Sequence, residues 1–256
     1  MGSFILLLIM AGSALGGVPE LSVPYAGRPP LLKAEWGEPA WEAAAVIPTL
    51  SPSLGSDPAL TPQKTEVRLL WDEENLYIRF TCEAEEIVAT LSGHDAEYHR
   101  EEAVEVFLDP AGDGRAYIEL QVSPRNGVRD VLYLCTAEPR YDENGRILQE
   151  ILLRDCWSFD TWNLEGLRTA TGRFAREGKR GWIAEIAIPS TVLRRLGKTR
   201  FGEMSLRADF IRLEHPKAED GAKGRNFLSS DWSPILQGNP HRSPGAYGKL
   251  HLIRGR

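Results

Sequence analysis

Repeated runs in which apolar and polar side chains alternate are the feature that most constrains this chain. One pair of runs, "VRLLW" (67–71) and "LYIRF" (76–80), flanks the polar corner 72–75. A second pair, "AVEVFLD" (103–109) and "AYIELQV" (116–122), flanks the turn-forming segment "PAGDG" (110–114). Because successive side chains of a strand point to opposite faces of a sheet, each pair predicts a β-hairpin with one apolar face.

The rest of the chain continues this pattern. Further strands are expected at 128–134 and 182–188, within "MSLRADFIRLE" (204–214), and within "YGKLHLIR" (247–254). The segment "PSTVLRRLG" (189–197) predicts one short helix that ends at Gly197. The 24 glycines and 17 prolines fit many turns between short strands. We therefore predict an all-β fold, a two-sheet antiparallel β-sandwich of jelly-roll or immunoglobulin-like type.

The length of 256 residues fits one sandwich domain. We place a signal peptide at 1–17, a proline-rich lead-in at 18–32 and the sandwich domain at 33–256. The formal net charge of −6 argues against a nucleic-acid-binding surface, which is usually basic. A monomer without a transmembrane anchor is the expected state.

The first residues, "MGSFILLLIMAGSALGG", carry an apolar run followed by small residues, as a secretory signal does. The run is shorter than the roughly 20 apolar residues that span a bilayer. It also lacks the usual Lys or Arg before the apolar core, and a buried first strand is the alternative. We expect an exported protein, whether extracellular, periplasmic or held at the cell surface.

Three cysteines cannot all pair within one chain. Cys82 lies in a strand-like run and is expected to be a small buried apolar residue. Cys135 and Cys156 flank one polar excursion and either form a disulfide in an oxidising compartment or stay free. Among the tryptophans, Trp36, Trp41, Trp71 and Trp182 are expected in the core.

The order of the motifs resembles the family 9 carbohydrate-binding modules. The matching pieces, from about residue 33 to the end, are "EPAWEAAAVI", "VRLLWDEENLYIRFTCEAEE", "EEAVEVFLDPAGDGRAYIELQVSP", "GWIAEIAIP" and "WSPILQGNPHRSPGAYGKLHLI". The resemblance implies a β-sandwich that grips sugar without catalysis. It also implies association with polysaccharide degradation, as a binding partner or an appended module.

The resemblance also implies a set of ligand-contacting positions. Glu105 falls on the family's sugar-binding glutamate, Gln121 on a polar contact of the paired strand, and Arg207 near a third polar contact. Where the best-known members place two clamping tryptophans, this chain has Tyr98-His99 and His241. That departure puts the identity of the sugar in doubt, and a structural surface module whose sugar site is lost is one alternative.

These residue types suit sugar recognition. The C–H faces of a pyranose lie against flat rings, while its hydroxyls need donors and acceptors around the edge. Carboxylates and amides on alternating strand positions supply such groups from a rigid scaffold. Glu101 and Glu102 precede the strand and are expected to form an exposed acidic corner.

A catalytic alternative requires two carboxylates about 5–10 Å apart, one of them with a raised pKa. Glu105 and Glu119 approach that separation if their strands pair, but we find no accompanying catalytic pattern. We therefore predict that the chain is not an enzyme.

Two cofactor alternatives also stay open. No cofactor is required by the sugar-binding interpretation, but calcium stabilises some members of the family that the chain resembles. Asp109 and Asp113 of the "DPAGDG" turn are weak candidates for its ligands. Related sandwiches bind haem for electron transfer through Met or His axial ligands, and His99 and His241 keep that second interpretation open. The segment with His94, Asp95, Glu97 and His99 has neither zincin nor zinc-finger spacing, so we expect a loop there.

Overall fold

A computed structural model describes residues 18–53, 61–136, 140–141, 147–149, 155–215, 228–233, 241 and 244–255. In chain order its strands are β1 Glu20–Pro24, β2 Ala45–Ile47, β3 Ser51–Pro52, β4 Thr65–Trp71, β5 Asn75–Glu83, β6 Ala103–Asp109, β7 Ala116–Val122, β8 Val128–Cys135, β9 Arg140–Tyr141, β10 Ile147–Gln149, β11 Cys156–Phe159, β12 Arg168–Arg176, β13 Lys179–Pro189, β14 Met204–Glu214, β15 Leu228–Asp231 and β16 Gly248–Ile253.

Two sheets account for these strands except β9 and β10, which pair with each other. The large sheet runs in the order β1-β16-β14-β6-β7-β8-β11, with β15 also paired to β14, and β3 to β15. The small sheet runs in the order β12-β13-β5-β4-β2. The predicted two-sheet sandwich is confirmed, and both predicted hairpins, β4–β5 and β6–β7, are antiparallel pairs. Only the pairing of β1 with β16 is parallel among the described strand pairs.

Short 3₁₀ helices join several strands, at Pro39–Ala43, Tyr98–Arg100, Ser190–Leu196 and Pro244–Ala246. The predicted short helix is the one at Ser190–Leu196. It ends at Gly197, whose φ of 66° is a left-handed conformation that glycine adopts without steric cost. Among the described residues, none of the helices is both long and apolar enough to cross a bilayer.

The main core fills the space between the two sheets. The alternating apolar residues of the hairpins face inward, and Trp71 and Trp182 are the largest fully buried side chains there. Trp41 is also buried, but the prediction was wrong for Trp36, which is 41% exposed. Residues 31–44 cover only part of the small sheet's outer surface, and Trp36 packs at that margin against Phe174.

The proposed boundary of the domain needs correction. The lead-in was predicted to lie outside the sandwich, yet β1 extends the large sheet and Val23 is fully buried in the core. The predicted signal peptide at 1–17 lies outside the described residues. The folded unit therefore includes residues before 33.

The expectation of an exposed acidic corner was wrong for Glu102. Its carboxylate lies inside the sandwich, where it accepts hydrogen bonds from the Arg212 guanidinium and the Trp182 indole. The guanidinium carbon of Arg212 lies 5.1 Å from the centre of the Trp182 ring. Buried charges are found paired in this way because an isolated one costs several kcal/mol. Glu101 instead binds the backbone of Thr90 and Leu91 near the surface.

Cys135 and Cys156 are directly opposed on β8 and β11 and form a disulfide. The bond closes the excursion between these strands and ties the edge strand β11 to the large sheet. Cys82 is free and fully buried, as predicted.

Candidate functional site

The outer face of the large sheet carries the polar residues predicted for ligand binding. On β6, Val104, Val106 and Leu108 face the main core, so Glu105 and Phe107 point to the opposite side. Glu105 is directly opposed to Gln121 in the β6–β7 register. The register therefore brings the two predicted residues onto one face.

Four side chains on this face form a connected network that we call the acidic floor: Glu105, Glu119, Gln121 and Tyr133. The Nε2 atom of Gln121 donates to Oε1 of Glu105 at 2.9 Å and to Oε1 of Glu119 at 2.6 Å. The hydroxyl of Tyr133 on β8 donates to Oε2 of Glu119 at 2.8 Å. Glu105 is 6% exposed and Gln121 is 3% exposed, so a ligand meets this network only at its upper edge.

Neighbouring carboxylates make it unfavourable for Glu105 to carry a negative charge. Burial raises the pKa of Glu105 well above its usual range, and the nearby Glu119 and Asp209 carboxylates raise it further. The hydrogen bond from Gln121 opposes this shift. Asp209, fully buried on β14 next to β6, also has its pKa raised well above normal, by burial and by Asp231. Two protonatable groups therefore lie close together at a site with few donors.

Hydrogen-bond acceptors outnumber donors at the acidic floor. The amide nitrogen of Gln121 donates to the carboxylates of Glu105 and Glu119. The Oε1 atom of the same amide is buried with no hydrogen-bond partner among the described residues. A buried acceptor without a donor costs about 1–3 kcal/mol. A ligand rich in hydroxyl or ammonium donors would relieve that cost.

His241 lies above the floor and is half-buried. Its ring packs edge-on against Phe107 at 5.1 Å and tilted against Tyr133 at 5.4 Å, both measured between ring centres. Its Nδ1 lies 3.6 Å from Oε2 of Glu119. The hydroxyl of Tyr117, stacked on Tyr133, donates to the His241 carbonyl and fixes the backbone at this position. The predicted residue His241 is therefore beside the predicted Glu105–Gln121 pair.

His99 is exposed, in the short 3₁₀ helix Tyr98–Arg100. Burial of part of its ring lowers its pKa, while the carboxylates of Glu97 and Glu119 raise it. The use of His99 and His241 as ligand contacts stays a prediction, as does their use as haem ligands.

Tyr98 is not available for stacking. Its ring is fully buried, and its hydroxyl donates to the carbonyl of Gly93. It also packs so closely over Gly127 that a Cβ there would lie 2.0 Å from the tyrosine hydroxyl oxygen. The suggestion of Tyr98 as an alternative ligand aromatic therefore fails, because the ring is part of the supporting wall.

Arg207 lies on the outer face at one end of β14, opposite Asp109. Its Nη1 atom donates to the carbonyls of Gly245 and Tyr247, at 2.6 and 3.2 Å. These bonds hold the turn that precedes β16. The geometry thus gives Arg207 the role of holding this turn, and direct contact with a ligand stays a prediction.

The turn at 109–114 uses its acidic groups internally. Asp109 is fully buried, and its two carboxylate oxygens accept hydrogen bonds from the backbone N–H groups of Ala111, Gly112 and Gly114. Asp113 accepts from the backbone N–H of Arg115. These bonds are typical of a capped hairpin turn, and calcium binding by Asp109 and Asp113 stays a prediction that they do not favour.

Three residues of this site were missed as ligand candidates: Glu119, Tyr133 and Asp209. Glu119 and Gln121 are two positions apart on one strand, so their shared face was visible in the sequence. Tyr133 and Asp209 lie on strands distant in the chain, and only the register of β7 with β8 and of β6 with β14 places them here.

A second cluster, formed by Asp130 of β8 with His94 and Asp95 of the segment before β6, combines a histidine with two aspartates. The imidazole of His94 lies between Asp95, at 2.9 Å from Nδ1, and Asp130, at 3.2 Å from Nε2. This is the one group of at least three potential metal ligands, among the described residues, whose ligand atoms lie within 4.8 Å of one another. These contacts link the 84–102 segment to β8, and Oδ1 of Asp95 and Oδ1 of Asp130 are buried without a hydrogen-bond partner among the described residues.

The comparisons with known proteins support the family resemblance and the fold. Residues 34–123 match a family model described as "Carbohydrate family 9 binding domain-like". That segment contains β2 to β7 and therefore Glu105, Glu119 and Gln121. The resemblance to family 9 carbohydrate-binding modules is thus confirmed over this part of the chain. No curated protein sequence matches the chain significantly.

Solved structures share the fold over most of the chain. A candidate carbohydrate-binding protein from Bacteroides uniformis superposes with a TM-score of 0.65 at 17% identity, covering 93% of this chain and 100% of that one. Two structures of a family 9 carbohydrate-binding module from Caldicellulosiruptor kristjanssonii, with glucose and with cellotriose, give TM-scores of 0.55 and 0.54. They are 18% and 20% identical, and each alignment covers 93% of this chain and 97% or 94% of that one. At such identities the likeness establishes the shared fold.

Proposed function

We propose that this chain binds a saccharide without catalysis, in the hollow above the acidic floor. The observation that carries the proposal is the buried hydrogen-bonded set of Glu105, Gln121 and Glu119, with more acceptors than donors. A saccharide supplies many hydroxyl donors, and charged acceptors make strong hydrogen bonds to them. The two solved modules with glucose and cellotriose support the same class of ligand.

The two histidines are the flat side chains that we propose face the sugar ring. His99 is exposed, and His241 is half-buried beside the acidic floor. Imidazole rings are smaller and more polar than indoles, so the contact area and the affinity are expected to be lower than with two tryptophans. Glucose or a short glucan is the reference ligand for the test.

The geometry favours binding over hydrolysis. Both Glu105 and Glu119 bond to one nitrogen of Gln121, so their carboxylates have about the spacing of a retaining glycosidase, roughly 5 Å. However, the amide of Gln121 occupies the space between them, where the scissile bond would have to lie. We therefore propose a module that serves polysaccharide breakdown by holding the glycan rather than by cleaving it.

Export is part of the proposal. The Cys135–Cys156 disulfide forms stably in oxidising compartments, and the apolar run of the first residues fits a secretory signal. Both features support a protein that meets its glycan outside the cytoplasm.

Glycan binding by the Glu105→Ala variant tests the proposal. The variant removes one charged acceptor, and we expect binding on a glycan array and by calorimetry to fall at least about tenfold. Glu66→Ala, on the outer surface of the small sheet, is the matched control and should bind as the parent does. Unchanged binding by a folded Glu105→Ala variant, or loss of binding in the control alone, would overturn the site.

A further inference from the structure

The cluster of His94, Asp95 and Asp130 lies apart from the acidic floor. Asp130 is directly opposed to Leu120 on β7, and Leu120 faces the main core, so Asp130 points away from the outer face that carries Glu105. The side chain of Asp130 is 2% exposed, whereas that of His94 is 47% exposed. The cluster therefore joins a buried carboxylate to an imidazole that solvent reaches.

Backbone contacts fix His94 and Asp95 beside β8. The N–H of Asp95 donates to the carbonyl of Val128 at 2.9 Å, and His94 forms an isolated β-bridge with the same residue. The carbonyl of Asp95 accepts from Nη1 of Arg129 at 3.2 Å. The positions of both residues thus depend on backbone pairing rather than on contacts within the cluster.

Two carboxylate oxygens of the cluster lack hydrogen-bond partners. Oδ2 of Asp130 accepts from the backbone N–H of Leu164, but Oδ1 of Asp130 and Oδ1 of Asp95 are buried with no hydrogen-bond partner among the described residues. Nε2 of His94 lies 3.2 Å from Oδ1 of Asp130, yet the ring N–H is not directed at this oxygen. Buried carboxylate oxygens are normally satisfied by a donor or a cation, so this pair calls for one.

The three side chains converge on one point. The two N–H bonds of an imidazole diverge, so carboxylates that accept from both of them lie far apart. Here one potential ligand atom from each of His94, Asp95 and Asp130 lies within 4.8 Å of the others. Two atoms that are each about 2.0–2.2 Å from one zinc ion are roughly 3 Å apart. The 3.2 Å between Nε2 of His94 and Oδ1 of Asp130 fits that spacing.

The donor set indicates which ion fits. An imidazole nitrogen with carboxylate oxygens is a ligand set of zinc and other first-row transition metals. Calcium takes six to eight oxygen ligands, and imidazole does not suit it. Among the described residues, His94 is the only basic side chain paired with Asp95 or Asp130, so the two carboxylates are not neutralised by an arginine or a lysine.

We propose that His94, Asp95 and Asp130 bind a zinc ion or a similar divalent transition-metal ion. Each residue supplies one ligand atom, and water completes the coordination on the exposed side of His94. The ion clamps the segment between β5 and β6 to β8. This site goes beyond the proposed function, because it lies on the other side of the large sheet from the acidic floor.

Calorimetric titration of the full chain with zinc chloride tests the site, after a chelator has removed metals and any purification tag has been cleaved. We expect one zinc ion per chain, with calcium binding at least about tenfold more weakly. Zinc should also raise the melting temperature, since it binds the folded state. Absence of zinc binding, or tighter binding of calcium, would overturn the inference and leave the saccharide proposal untouched.

The His94→Ala variant assigns the binding to this cluster. It removes the nitrogen ligand at an exposed position, so zinc affinity should fall at least about tenfold and the rise in melting temperature should vanish. His251→Ala is the matched control, because that partly exposed imidazole also lies near a carboxylate, 3.1 Å from Glu20. The control should bind zinc as the parent does. Parental affinity in His94→Ala, or its loss in the control, would show that the ion binds elsewhere.

The Asp95→Asn variant tests the second ligand without disturbing the backbone. Asp95 has a φ of 60°, a left-handed conformation that asparagine also tolerates. The variant keeps the size of the side chain and removes its charge, so zinc affinity should again fall at least about tenfold. A folded Asp95→Asn variant that binds zinc as tightly as the parent would contradict the three-residue site.

Discussion

Both sheets of this sandwich bury a glutamate on their outer face, and the two glutamates have very different surroundings. On the small sheet, Glu185 is fully buried and accepts hydrogen bonds from Arg79 at 2.7 Å, from the Trp41 indole at 2.9 Å and from the Ala34 backbone N–H at 2.8 Å. On the large sheet, Glu105 meets one amide and two further carboxylates.

On the function we propose, Glu185 is a structural acid and Glu105 a ligand-binding acid. Burial raises the pKa of Glu185, but Arg79 and the two N–H donors lower it again, so its charge is matched by its own fold. That match anchors residues 34 and 41 to the small sheet. Nothing comparable among the described residues compensates Glu105, so its partner is expected to be a ligand. Burial with a matched partner indicates packing, and burial without one indicates a binding site.

Removing the cation that pairs with Glu185 should produce the largest change in stability. Arg79→Met removes the cation from Glu185 and leaves a buried carboxylate unpaired, which costs about 3–5 kcal/mol. Chemical denaturation should show this loss, while the folded variant keeps its sugar affinity. A loss below about 1 kcal/mol would mean that Glu185 is not held by its charge partner and would remove the contrast between the faces.

The next largest effect is expected in the pH dependence of stability, through the burial of Glu105. The folded-state pKa of Glu105 is raised, so its contribution is complete below the unfolded value of about 4.3 and is lost as the pH rises through the raised pKa. Glu105 should therefore reduce the stability at neutral pH relative to mild acid. Glu105→Gln should be more stable than the parent at neutral pH and should flatten the curve, as thermal melts at a series of pH values would show. A Glu105→Gln variant whose melting temperature depends on pH as steeply as that of the parent would contradict this.

Several parts of this picture could be predicted from the sequence, because they depend on local alternation. The β4–β5 and β6–β7 hairpins, and the shared face of Glu105 and Gln121, follow from the two-residue period. The same period, extended to the residue before the strand, puts Glu102 on the side of Val104, where its side chain enters the sandwich to meet Arg212. Polar composition at 101–102 suggested exposure, while tertiary pairing decided otherwise.

The rest of the site depends on contacts between distant strands. Asp209 reaches Glu105 only because β14 pairs with β6, and Tyr133 reaches Glu119 only through the register of β7 with β8. Strand order in a sheet is not encoded in local alternation. The exposure of Trp36 and the inclusion of β1 in the large sheet were missed for the same reason.

A smaller effect is expected from Tyr133, the tyrosine of the acidic floor. Tyr133→Phe removes the hydroxyl that donates to Glu119 and leaves one acceptor without its donor, which costs about 1 kcal/mol of stability. Saccharide affinity should fall only a few-fold, because Glu105 and Gln121 remain in place. Denaturation and calorimetry on the same sample would measure both effects, and complete loss of binding would show that Tyr133 is itself a main contact.

The smallest effect is expected at the exposed part of the small sheet. Arg68 and Glu66 form an ion pair at 2.6 Å, with about a quarter to a third of each side chain exposed. Arg68→Ala should cost less than about 1 kcal/mol in denaturant, since water screens such pairs. A cost near that of Arg79→Met would show that exposure does not separate the two pairs.

Chemical-shift mapping of the ¹⁵N-labelled protein with a saccharide tests the central claim most directly. The side-chain N–H₂ of Gln121 reports on the acidic floor, and the indole N–H of Trp41, bonded to Glu185, reports on the other sheet. We predict that cellotriose shifts the Gln121 signal and leaves the Trp41 signal in place. A ligand that moves the Trp41 indole while Gln121 stays unchanged would contradict the account.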